Sequence, residues 1–224
     1  DRDRVGPIRA TQSGLVSPQA MKRAAVASFA LAILIGAFLV WRGGASILAI
    51  GVISIAAGAL YTAGPYPLAY VGLGDLFVLI FFGPVAVAGT HYLQTRTWSL
   101  DAGILGLIPG FLSVGILVVN NLRDRESDTV AHKRTLVVLF GKKFGRCEYA
   151  LCVAIPALVV LYFQHTLGLI GSLCVANVLV IGGFALSLGV FQSEGRDLNP
   201  FLPATNLLLL LISILLALFL VYPL

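Results

Sequence analysis

Charge is scarce in this sequence. Only 11% of its 224 residues are Asp, Glu, Lys or Arg, against roughly 25% in soluble domains, which excludes a globule surrounded by water. Cysteine occurs three times. Cys147, Cys152 and Cys174 have no CxxC pairing and no histidine companion, which leaves packing as their role and argues against a metal or redox centre. The hydrophobic runs carry no ionisable residue in mid-span, whereas a transporter commonly places such groups near the bilayer midplane. No basic stretch is interleaved with stacking aromatics, so the net charge of +5 is not a nucleic-acid signal. No signal peptide is expected, because the first apolar run follows the polar residues 1–23. The chain starts at Asp1 instead of Met, and further sequence is expected upstream.

What is abundant is apolar surface: 58% of residues are hydrophobic and the mean hydropathy is +0.96. Uncharged apolar runs occupy 24–40, 44–63, 76–93, 102–119, 149–163, 167–191 and 202–222. Most reach the ~17–25 residues needed to cross a hydrocarbon core, and helices are the spanning option for such runs. The expected fold is an all-α polytopic bundle with seven transmembrane helices. Run 149–163 is short unless its flanks join it. The basic residues orient the bundle. Five precede the first helix (Arg2, Arg4, Arg9, Lys22, Arg23), seven lie in 120–148 (Arg123, Arg125, Lys133, Arg134, Lys142, Lys143, Arg146), and Arg196 follows the sixth. Only Arg42 and Arg96 fall on the opposite side, so the first side is cytoplasmic by the positive-inside rule.

Between the second and third runs, Gly64, Pro65, Pro67, Gly72 and Gly74 break the helix and predict a structured cytoplasmic loop ending at the carboxylate of Asp75. Pro84, Pro109 and Pro156 predict kinks. Gly44, Gly51 and Gly58 recur every seven residues and predict a close helix approach. Asn177 is expected to make an interhelical hydrogen bond, and His91 and His165 to pack toward the outer face.

The informative segment is NNLRDRESDTVAHKRTL, residues 120–136. Asn120, Asp124 and Asp128 are spaced i, i+4, i+8. If the fourth helix continues through them, they share one face, successive members about 6 Å apart. Two carboxylates and an amide oxygen form a donor set suited to Mg²⁺, which takes one or two carboxylates and completes its shell with water and phosphate. Arg123, Lys133 and Arg134 can pair with phosphate oxygens. The spacing alone more readily describes a charged helix end meeting water.

This segment resembles the second aspartate-rich motif of the UbiA superfamily of intramembrane prenyltransferases. RVGPIRATQSG (4–14), YTAGPYPL (61–68) with GLGD (72–75), and FGPVAVAGT (82–90) are similar to the branch that prenylates 1,4-dihydroxy-2-naphthoate on the way to menaquinone. The resemblance covers essentially the whole chain. It implies a single membrane domain over 1–224, belonging to a nine-helix bundle with a cytoplasmic cap. The first two helices and the first aspartate-rich motif would lie upstream of Asp1. It further implies Mg²⁺ as cofactor, a polyprenyl diphosphate donor, and a bacterial inner-membrane location. Asn120, Asp124 and Asp128 match the polar positions of the second motif.

Arg9 and Gln12 follow the missing motif, where they would touch diphosphate or simply be solvated. Tyr61 and Tyr66 would line the cavity or sit in the interfacial belt. Asp75 would orient the acceptor or a loop arginine, or cap the third helix. Another aromatic acceptor, 4-hydroxybenzoate or homogentisate, is the alternative within the class, and a small transporter the alternative outside it.

Overall fold

The computed structural model describes residues 6, 10–62 and 67–223. Its secondary structure is helical, and seven helical stretches among the described residues are long and apolar enough to cross a membrane. The helices are α1 (Pro18–Gly43), α2 (Ala45–Thr62), α3 (Gly74–Phe82), α4 (Pro84–Thr95), α5 (Leu100–Leu105), α6 (Leu107–Val130), α7 (Leu136–Tyr162), α8 (Gln164–Leu167), α9 (Leu169–Gln192) and α10 (Phe201–Val221). Ser17 caps α1 by accepting from the Ala20 amide, and Pro18 occupies the first turn, where its missing N–H costs nothing.

The core forms where α6 packs against α7, α3 and α10, and α7 against α9. Ile108, Leu112, Val118, Val119, Tyr149, Val160, Leu179 and Ile212 are fully buried there. Tyr149 is the largest of these, and its hydroxyl meets Thr205 Oγ1 at 2.8 Å, tying α7 to α10 with both groups satisfied. By contrast α1 and α2 pair with each other and leave most of their apolar surface outward, as expected where the surrounding solvent is lipid.

Two expectations about breaks are corrected. The third and fourth spans do not merely kink at Pro84 and Pro109; they divide at Gly83 and Gly106. There the backbones cross so closely that a Cβ on Gly83 would lie 2.7 Å from the Gly106 carbonyl oxygen, and one on Gly106 would lie 2.9 Å from Gly83. The seven-residue glycine series is corrected too. A Cβ at Gly44 or Gly51 would meet nothing, and one at Gly58 only Phe29 at 3.8 Å, so the close approach lies at the Gly83–Gly106 crossing.

The fourth helix continues through the charged segment that follows its apolar run. Helix α6 continues unbroken to Val130, the connection is five residues, and α7 begins at Leu136, kinked at Gly141 (φ 89°). The short 149–163 run is therefore joined by its upstream flank, and Lys142, Lys143, Arg146 and Glu148 belong to a helix. Asn177 is exposed and donates to Leu173 O of its own helix at 2.8 Å, not across helices.

Candidate active site

The chain turns that gather the polar residues lie at one end of the bundle. Asp128 O accepts from the Lys133 amide at 2.9 Å, and His132 takes a left-handed φ of 54°, reversing the chain directly after α6. The Arg134 amide donates to Tyr70 O at 2.9 Å, pinning this connection onto the short 3₁₀ turn Leu68–Tyr70. Gly72 allows that contact. Its φ is 81°, and a Cβ there would stand 3.1 Å from the Arg134 carbonyl oxygen, a conformation costly for any L side chain. Thr135 then caps α7 by accepting from the Val138 amide.

These turns enclose a cavity of about 610 Å³. Helix α6 contributes Asn120, Asn121, Ser127 and Asp128 to its wall; the connection contributes Lys133 and Thr135; α2, the loop and α3 contribute Tyr61, Tyr70 and Asp75. Asp128 accepts from Lys133 Nζ at 2.9 Å through Oδ2. Asp75 and Asn121 are only 7% and 2% exposed, and each has an Oδ1 with no hydrogen-bond partner among the described residues. Such orphaned acceptors are expensive to bury unless something else supplies a donor or a cation.

Asp124 sits one turn before Asp128 but lies outside the cavity lining. Both of its oxygens accept from Arg123, from Nε and Nη2 at 2.7 Å each. The same guanidinium donates to Asn120 Oδ1 at 2.6 Å and to Asn199 Oδ1 at 3.2 Å. Side-chain exposures of 2% for Arg123 and 9% for Asp124 make this a buried, forked pair. Of the sequence-derived metal set, the structure therefore brings Asn120 and Asp128 to the cavity and holds Asp124 behind them. Lys133 lines the cavity, Arg123 is turned inward onto Asp124, and Arg134 is exposed beside the rim. Gln12 lies in an exposed turn ahead of α1. Arg9 and Tyr66 lie outside the described residues.

Two apolar chambers adjoin the polar one. Tyr61 is shared with a space of about 560 Å³ between α2 and α3, walled by Ala57, Phe77, Val78, Phe81 and Phe82. Asp75 is shared with a space of about 340 Å³ between α3, α6 and α7, where Glu148 faces Leu79, Phe111, Val114 and Ile155. Sequence reasoning missed Asn121 and Glu148. Both had a readable signal. Asn121 doubles the amide at the head of the motif, and Glu148 borders the stripe Gly145, Tyr149, Cys152 and Pro156, whose helical spacing marks the buried face of α7.

The fold and this chamber define an integral membrane protein with a polar site capped at one end of its bundle and opening onto apolar space. The model of the UbiA prenyltransferase family matches residues 1–199. The chain is 37% identical over 212 residues to a 1,4-dihydroxy-2-naphthoate octaprenyltransferase of Mycobacterium tuberculosis, covering 94% of this chain and 71% of that protein. It is 33% identical to the protein of the same name from Haemophilus influenzae, with 96% and 72% covered. Against that of Escherichia coli it is 39% identical over 71% of this chain and 53% of the relative. The chain belongs to the UbiA prenyltransferase family and is a membrane-embedded prenyltransferase.

Proposed function

We propose that this protein transfers a polyprenyl chain from polyprenyl diphosphate to 1,4-dihydroxy-2-naphthoate with loss of carbon dioxide, giving demethylmenaquinol. The observation that carries the reading is the polar cavity of Asn120, Asn121, Asp128 and Lys133, joined through Tyr61 to an apolar chamber. An amphiphile with an anionic head and an isoprenoid tail matches that division. The names of the relatives support the naphthoate acceptor. The crowding of basic residues at the capped end supports a site on the cytoplasmic face of a bacterial inner membrane, and residues 1–224 act as one membrane domain.

Mg²⁺ fits the donor chemistry. Asp128 and Asn120 line the cavity, and the orphaned oxygen of Asn121 can accept from water on a hydrated ion. Asp128 and Asn120 would hold the ion, with Asp124 positioned behind them by Arg123. When bound, Mg²⁺ supplies Lewis-acid neutralisation of the diphosphate oxygens.

The chain's own groups do the rest. Lys133, with Arg134 at the rim and Arg9 and Gln12 ahead of α1, binds the diphosphate, so that charge developing on the leaving group meets fixed cations. Ionisation of the donor C–O bond gives diphosphate and an allylic cation. The ring carbon bearing the carboxylate attacks it, a C–C bond forms, and the carboxylate leaves as carbon dioxide, its electron pair restoring the aromatic ring. Tyr61 and the phenylalanines of α3 wall the site so that water does not capture the cation.

The test is an assay of the intact protein in detergent with Mg²⁺ and polyprenyl diphosphate. With 1,4-dihydroxy-2-naphthoate, diphosphate, carbon dioxide and prenylated product should appear in equal amounts. With 4-hydroxybenzoate or homogentisate little or no product should form. A folded protein that prenylates 4-hydroxybenzoate in preference to the naphthoate refutes the acceptor, and one that releases no diphosphate refutes the reaction.

A further inference from the structure

Glu148 has no part in the chemistry described so far, yet its position is unusual. It lies inside α7 with Oε2 buried and without a hydrogen-bond partner among the described residues. The space it faces is walled mainly by apolar side chains of α3, α6 and α7, with the thiols of Cys147 and Cys152 among them. The one other carboxylate on that wall is Asp75, itself 7% exposed and with an orphaned Oδ1. Asp75 also lines the polar chamber, so the slot opens into the place where the donor's head would sit.

Two carboxyl groups in the wall of an apolar slot, each with a buried oxygen that has no donor among the described residues, select for a particular kind of guest. A hydrated metal ion suits such walls poorly, since it keeps its waters and needs oxygen ligands on several sides. An isoprenoid chain satisfies the walls but offers no donor, leaving both orphaned oxygens unpaid. A flat aromatic bearing hydroxyl groups satisfies both, because its faces lie on Leu79, Phe111 and Ile155 while its O–H groups donate to the carboxyls.

We propose that the slot between α3, α6 and α7 is the aromatic-acceptor subsite, with Glu148 and Asp75 as the residues that accept hydrogen bonds from the acceptor's ring hydroxyls. This rests on the prenyl-transfer reading above and adds Glu148 as a residue that binds substrate and sets specificity. It also gives the site a basis for favouring a dihydroxylated ring over a monohydroxylated one, which has one donor fewer for two waiting acceptors. Rejecting a ring that lacks a donor is what a site built for hydrogen bonding does well.

The test is Glu148→Leu in the intact protein, with Glu148→Gln as the second variant should the first fail to fold. Glu148→Leu removes an unpartnered buried group, so the melting temperature in detergent should hold or rise. The KM for 1,4-dihydroxy-2-naphthoate should rise about tenfold while that for polyprenyl diphosphate stays within about twofold. Direct binding of the naphthoate, followed by its fluorescence without donor present, should weaken by a similar factor. The di-O-methyl ether of the acceptor should bind the parent protein about tenfold more weakly, yet lose much less further affinity in Glu148→Leu, because the two changes remove the same contact. An unchanged acceptor KM, a rise confined to the polyprenyl diphosphate KM, or full additivity of methylation and mutation would each overturn the assignment. Since all three are read against a parent protein that turns over, they leave the prenyl-transfer reading standing. A parent protein with no turnover would instead defeat that reading, and acceptor binding would still report on the slot.

Discussion

Removing Arg123 should damage the fold before it damages the chemistry. Its guanidinium makes four hydrogen bonds, two to Asp124 and one each to Asn120 and Asn199, from a side chain only 2% exposed. Arg123→Met keeps much of the length but none of the donors. It leaves the Asp124 carboxylate, 9% exposed, with no partner for either oxygen among the described residues. Breaking a buried pair from one side costs about 3–5 kcal/mol, because the remaining charge stays desolvated. Arg123→Met should therefore lose about that much stability in denaturant titration or thermal melting in detergent. The double variant Arg123→Met with Asp124→Leu removes both charges together and should recover most of the loss. The double variant should nevertheless be inactive, because Asn120 loses the contact that orients it and the second motif loses a carboxylate. If Arg123→Met melts within about 0.5 kcal/mol of the parent, the pair behaves like an exposed one and the buried fork has been misjudged. If the double variant is no more stable than the single one, the loss comes from packing or from Asn199, not from an abandoned charge.

Asp128→Asn keeps the shape of the side chain but withdraws the carboxylate that faces the cavity. Turnover should fall at least a hundredfold while the melting temperature changes by no more than a few degrees, and a variant with ordinary kcat would remove Asp128 from the metal set. Gly72→Ala places a Cβ at φ 81° against the Arg134 carbonyl oxygen. It should cost about 1–2 kcal/mol and lower kcat by loosening the connection between α6 and α7 beside the cavity; a neutral effect on both would show that this connection is not held as described. Glu194 accepts from Lys142 Nζ at 2.9 Å and from Arg146 Nη2 at 3.3 Å, and the hydrogen bond and charge of Lys142 first, then Arg146, hold its carboxyl below the usual glutamate range. A carboxyl lowered by folding stabilises the fold above its unfolded pKa and stops doing so as pH falls through its folded pKa. Glu194→Gln should therefore melt slightly below the parent at neutral pH, the gap closing in acid; a gap that widens in acid contradicts the pairing.

The helix count and the location of the polar site were legible because each rests on a local signal: long uncharged runs for the first, an i, i+4, i+8 array beside basic residues for the second. Helix ends were less legible, and for one reason throughout. The uncharged runs stop at 119 and resume at 149, yet α6 carries Arg123 to Asp128 and α7 carries Lys142 to Glu148 inside regular helix. In a membrane protein charge marks where the chain meets water, not where the helix stops, since residues with good helix propensity extend a span past the lipid. Glu148 falls one residue outside the uncharged run 149–163, although it is part of α7 and holds a buried Oε2 in the wall of an apolar slot.

The division among Asn120, Asp124 and Asp128 was illegible for a different reason. Helical spacing puts three side chains on one face, but it cannot tell which of them a neighbour has already taken. Arg123 and Asp124 are successive residues, pointing about 100° apart around the axis, and nothing in a one-dimensional pattern suggests that they pair. They do because the arginine is long enough to fold back while Asn120 and Asn199 hold its other nitrogens. The consequence for function is specific. Asn199 lies in the connection between α9 and α10, so the orientation of the central acid in the motif depends on a residue 75 positions downstream of it. Asn199→Leu should then lower turnover without touching any group that lines the cavity, and a double-mutant cycle with Arg123→Met should show the two losses to be strongly non-additive. Additive losses would mean that Asn199 acts on the site by another route.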